Sequence, residues 1–130
     1  MQEKIKNPLF YQENRIAAHS DHRYYVNEAE FVLNNQSLKR SLDGVWKFRY
    51  AKNMEDAPKD FYQTESDCRS WEDIRVPAHI QLEGYDKPQY VNLQYPWDGH
   101  EVIEPGEIPV RLNPTASYVK YFTMPAQFEG

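Results

Sequence analysis

The chain has 130 residues, of which 20 are Asp or Glu and 15 are Lys or Arg, for a net charge of −5. No basic stripe interrupts that acidic balance, which argues against nucleic acid as the main partner, because phosphate binding needs clustered cations. Apolar runs of a few residues are too short to span a membrane, and the charged N-terminal stretch holds no apolar signal-peptide core. A single cysteine, Cys68, cannot form an internal disulfide and fits a reducing cytoplasm.

Residues 1–40 read as an extended arm with one short helix. Asn27 followed by Glu30 has the spacing of an N-cap with a reciprocal carboxylate. Ala29, Val32 and Leu33 would form the apolar side of that helix. The arm has too few apolar residues for its own core, so it is expected to lie against something else. Asp43-Gly44 is a turn signal. After it Trp46, Phe48 and Tyr50 alternate with Val45, Lys47 and Arg49, the period-two pattern of a strand with one aromatic face.

Residues 51–70 are polar, with Pro58 and Asp60 near a single helical turn. Residues 71–76 read as a second strand ended by Pro77. A further strand is expected at 118–124, with Tyr118, Lys120 and Phe122 on one side. Trp46, Phe48 and Phe122 are the expected core. Short strands, nine prolines and long loops indicate an all-β sandwich. The legible strands number about three to five, against about eight in a jelly roll.

The stretch from Gln81 to Gly99, QLEGYDKPQYVNLQYPWDG, sets four aromatic residues among fixed turns. Such a loop either presents flat apolar faces and hydroxyls to a polar ligand, sugars included, or closes a small core. Asn92 within it has an amide that both donates and accepts. It can contact a ligand or brace loop backbone. Tyr85, Tyr90, Tyr95 and Trp97 can make a platform or wedge the loop against the sheet. Pro88 and Pro96 fix its shape. His19, Asp21 and His22 form an HSDH cluster with no second cluster to complete a metal site, so no metal ligands are assigned there.

Four blocks, in order, resemble the large β-galactosidases of glycoside hydrolase family 2. They are NRIAAHSDHRYY (14–25), SLDGVWKFRY (41–50), VPAHIQLEGYDKPQYVNLQYPWDG (76–99) and NPTASYVKYF (113–122). The arm and the YVNLQYPWDG block look like the β-galactosidase rather than the β-glucuronidase branch. The resemblance covers roughly Asn7 to Phe122. It implies a partial jelly-roll, a galactose-binding-like β-sandwich, over residues 41–130, preceded by the arm at 1–40. It implies hydrolysis of terminal β-D-galactosides such as lactose with retention, in the cytoplasm. Asn92 would be the substrate-binding asparagine that hydrogen-bonds a galactose hydroxyl, with Tyr90, Tyr95 and Trp97 as loop supports.

No catalytic residue is assigned on this chain, because the family's catalytic glutamates lie in a later (β/α)8 barrel. Asn27-Glu28 superficially matches the family's acid/base motif, but it falls in the arm at the helix cap. Magnesium and sodium belong to the full-length family, with ligands mostly further along. Asn7 matches an arm magnesium pattern, but Lys4 stands where that pattern has an aspartate. NPTASY also departs from the Gly-Cys that many relatives carry in place of Ala116-Ser117. The expected chain is therefore an N-terminal part of a much longer enzyme, inactive alone, whose partners are the galactoside and the rest of the enzyme or other subunits. The alternatives are a stand-alone carbohydrate-binding module and a complementing interaction fragment.

Overall fold

A computed structural model describes residues 2–20, 22–89, 92 and 94–128. Its elements are α1 (Gln2–Lys6), α2 (Glu28–Leu33), β1 (Gly44–Ala51), β2 (Glu72–Val76), β3 (Thr115–Val119) and a 3-10 turn (Ala126–Phe128). The chain divides into two compact units.

The larger unit comprises residues 1–11 and 43–120. It is built on one antiparallel sheet with strand order β2-β1-β3. β1 takes in Gly44, read from sequence as part of the turn, whose φ of 115° is open to glycine at little cost. Phe48 lies opposite Glu72 on one side and Tyr118 on the other. Directly opposed residues share a face of an antiparallel pair. Trp46, Phe48, Tyr50, Ile74, Ala116 and Tyr118 therefore lie on one face.

That face holds the larger buried side chains. Phe48 is 1% exposed and Ile74 3%, and burying one such side chain contributes about 1.5–3 kcal/mol. Trp46, expected in the core, is half-buried. The opposite face is mostly polar. There Lys47 and Asp73, opposed in the β1–β2 register, form an ion pair at 2.7 Å. α1 belongs to this unit, and Lys6 in its last turn pairs with Glu107. The sequence reading leaves α1 as extended arm. Its Glu3 in the first turn and Lys4 and Lys6 in the last match the helix dipole.

The expected strand at 118–124 is displaced to Thr115–Val119. The ladder stops because the next ammonium, Lys120 Nζ, donates to the Val45 carbonyl at 2.7 Å. A backbone group would have to fill that place for the strand to continue. Phe122 falls outside β3 and is 48% exposed, so it is not core. β3 forms one edge of the sheet among the described residues.

The smaller unit comprises residues 12–42 and 121–130. Its helix α2 begins as the spacing predicts: Asn27 Oδ1 accepts from Glu30 N at 3.0 Å. The Glu30 carboxylate reaches back to Val26 N at 3.0 Å, one residue before the cap. Asn34 closes the helix at φ 50° and accepts from the Tyr25 hydroxyl at 2.9 Å. Tyr25 meets Phe31 edge-on at 5.5 Å, stapling the entry of the helix. The expected apolar side does not fill a core: Val32 and Leu33 are 72% and 75% exposed.

Candidate functional site in the aromatic loop

The long loop between β2 and β3 is fastened to the sheet by Tyr85. A tight turn over 79–85 precedes it, with Tyr85 N donating to Ile80 O at 3.0 Å. Gly84 sits there at φ 95°. The Tyr85 ring packs on Phe48 with centroids 4.6 Å apart, and its hydroxyl donates to Glu72 Oε2 at 2.6 Å. That bond to a carboxylate, then burial, pushes its phenol up to about 12. Tyr85 is thus a wedge against the sheet, one of the two roles open to the loop aromatics.

Further along, Tyr95 and Trp97 stack with centroids 5.0 Å apart and ring planes 3° from parallel. Pro96 between them lets both rings project from one short turn. Asp98 Oδ2 accepts from Tyr95 N at 2.8 Å, and Asp98 N returns a bond to Tyr95 O at 3.0 Å. His100 N and Glu101 N both donate to Trp97 O. Glu101 then clamps the far side of the loop. Its carboxylate accepts from Val110 N and Arg111 N at 3.0 Å and from Leu112 N at 3.3 Å. Those backbone donors, Val110 first, hold its carboxyl below the usual carboxylate range. Sequence reasoning missed this clamp. Glu101 carries no local signal, because its partners lie about ten residues on and meet it only when the loop folds back.

Two clefts open beside the loop. One of about 690 Å³ is bounded by Tyr50, Lys52, Asp86, His100 and Arg111. A second, of about 330 Å³, is bounded by Gln81, Asp86, Lys87, Gln89, Trp97 and Asn113. Asn92 is exposed, five residues before Trp97. Tyr90 lies outside the described residues, as does Asp21 of the HSDH cluster. The structure thus brings Tyr95 and Trp97 together as one stack.

Among the described residues no carboxyl is buried. The carboxyls with displaced acidity, Glu30, Asp67 and Glu101, are all pushed downward by hydrogen bonds. A general acid needs the opposite displacement. No group of three or more His, Cys, Asp or Glu side chains converges among the described residues. At the start of the arm, Lys4 Nζ sits 5.2 Å above the Phe10 ring, and Asn7 Oδ1 accepts from Leu9 N at 3.0 Å. An ammonium where a carboxylate would be needed does not fit a bound magnesium ion. No helix among the described residues is long and apolar enough to cross a membrane.

Comparison with known proteins agrees with this all-β scaffold. A Halalkalibacterium halodurans protein named β-galactosidase is 56% identical over 113 residues, covering 86% of this chain and 11% of that protein. A Streptococcus thermophilus protein of the same name is 44% identical over 124 residues, 95% of this chain and 12% of its own length. A Leuconostoc lactis protein named β-galactosidase large subunit is 36% identical, with 97% of this chain and 22% of that protein covered. The chain therefore spans 11–22% of the length of these relatives. Residues 39–130 match the family described as "Glycosyl hydrolases family 2, sugar binding domain". On that match, which takes in the sheet and the whole aromatic loop, the chain belongs to glycosyl hydrolase family 2.

Proposed function

We propose that this chain is the N-terminal part of a β-galactosidase, cleaving terminal β-D-galactosides such as lactose with retention in the cytoplasm. The observation that carries the reading is the family match over residues 39–130, joined to relatives named β-galactosidase that align with most of this chain. The segment supplies a sugar contact and assembly surfaces. Chemistry by a carboxylate pair about 5–5.5 Å apart belongs to another part of the enzyme.

Asn92 is the sugar-contact residue in this reading. Its amide can donate to one galactose hydroxyl oxygen and accept from another. The braces around the loop favour that role, since a held loop loses little entropy on binding. Magnesium and sodium act in the full enzyme through ligands from other segments; the arm's Lys4 does not suit such an ion. Assembly contacts are favoured by the exposed apolar residues Phe31, Val32 and Leu33 on α2. They suit docking onto the remainder of the enzyme or another subunit.

The test is direct. The full reading frame that carries this segment should hydrolyse a chromogenic β-galactoside and release the β-anomer first, read by NMR. The purified 130-residue chain should do neither, yet should restore activity to the matching enzyme trimmed of residues 1–40. Turnover by the purified chain, or preference of the full enzyme for a β-glucuronide, would overturn the proposal.

A further inference from the structure

The aromatic loop is pinned by one carboxylate, Glu101, whose central partner, Arg111, lies ten residues on. We propose that Glu101 is a positioning residue for galactose binding: it ties the turn after Asn92 to the root of β3 and so sets where the Asn92 amide meets its hydroxyl. This rests on the galactosidase reading, with Asn92 as the sugar contact, and adds to it the residue that holds that contact in place.

The first support is where the two ends of the clamp lie. Val110, Arg111 and Leu112, which donate to Glu101, stand three to five residues before β3 begins at Thr115. β3 pairs with β1 along its whole length, so this end is anchored in the sheet. At the other end Glu101 N donates to Trp97 O at 3.1 Å, and Asp98 Oδ2 accepts from Tyr95 N at 2.8 Å. Tyr95 follows Asn92 by three residues, whereas the Tyr85 wedge precedes it by seven. One side chain therefore connects the sheet to the turn beside Asn92.

The second support is the chemistry of the clamp. A carboxylate only accepts, and its two oxygens can face three N–H donors in a row. Glu101 Oε1 takes Val110 N, Oε2 takes Leu112 N, and Arg111 N reaches both, at 3.4 and 3.0 Å. Glutamine has the same shape but one oxygen, and its NH2 would face the remaining donors. The residues between the two ends make a turn of their own, with Glu107 N donating to Glu104 O at 2.9 Å and Gly106 at φ 87°. That turn has its own bond and its own glycine. What Glu101 adds is the placement of 97–101 against 110–112.

The experiment is a double-mutant cycle in the full enzyme, with steady-state hydrolysis of a β-galactoside and thermal unfolding read on each variant. Glu101→Gln should lower kcat/KM about three- to tenfold, and by no more than Asn92→Ala does. In the Asn92→Ala background the same substitution should change kcat/KM by less than about twofold, because the contact it positions is already gone. The deoxygalactoside that lacks the hydroxyl paired with Asn92 should be turned over equally by the wild type and by Glu101→Gln. Glu101→Asp, which keeps the charge but is one methylene short, should behave likewise, and it carries the cycle where Glu101→Gln fails to fold. Equal losses with and without Asn92 would make Glu101 a general brace and overturn its positioning role, as would an unchanged kcat/KM in the Glu101 variants; the sugar contact itself would stand. Wild-type kinetics for Asn92→Ala would overturn the contact and this role together.

Discussion

Replacing Asn92 by alanine in the full enzyme separates a sugar contact from a loop brace. Asn92 is exposed on the loop, so its loss opens no cavity in the described fold. If Asn92 bonds a galactose hydroxyl in the complex, the same truncation leaves that hydroxyl without its partner. That costs about 1–3 kcal/mol, or roughly 5- to 150-fold in kcat/KM at about 1.4 kcal/mol per decade. If the bond tightens as the glycosidic bond breaks, kcat falls along with kcat/KM. The assay is steady-state hydrolysis of the parent galactoside and of its 2-, 4- and 6-deoxy analogues, with thermal unfolding measured in parallel. One analogue should lose no further rate in the mutant, because its missing hydroxyl is the one that pairs with Asn92. A lowered Tm with equal rate losses on every analogue would identify a brace instead, and wild-type kinetics on the parent sugar would refute the assignment.

Three further outcomes follow from the packing and the charges. Phe48→Ala, at a site 1% exposed, should destabilise by about 3–5 kcal/mol, whereas Phe122→Ala, at a site 48% exposed, should shift denaturant midpoints little. The Tyr85 phenol, raised to about 12 against an ordinary 10, should ionise late in an ultraviolet titration. The unfolded chain then loses this proton first, so the contribution is intact below pH 10 and disappears as pH rises toward 12. Tyr85→Phe should reduce the alkaline loss, with the raised Tyr50 and Tyr118 phenols retaining the rest. Glu101 is shifted the other way: its clamp should hold above the ordinary carboxylate pKa and fail as pH falls through its lowered folded value. Proteolysis within residues 95–112 should therefore accelerate in acid for the wild type, while Glu101→Gln should be cut quickly at neutral pH too.

Local chemistry was enough to read much of this chain. Alternating aromatics after Asp43-Gly44 dictate β1, because a period of two puts Trp46, Phe48 and Tyr50 on one face whatever pairs with them. The Asn27–Glu30 spacing dictates the start of α2, because the cap bonds span three residues. The order of four blocks made the family legible before any pairing was known. Other features depended on contacts between distant residues. β3 ends at Val119 because Lys120 meets Val45, 75 positions away, and Phe122 falls outside it. Tyr85 became a wedge and Tyr95 and Trp97 a stack for a similar reason. All three are aromatic residues near turns, and only Phe48, Glu72 and the fold-back of the loop distinguish them. The Glu101 clamp is the plainest case, since a lone carboxylate acquires a role only when three backbone donors from 110–112 are carried to it. Periodicity and caps act over a few residues and are therefore written in the sequence. Strand ends, ring partners and loop braces are set by which remote groups arrive, and only the tertiary structure decides that.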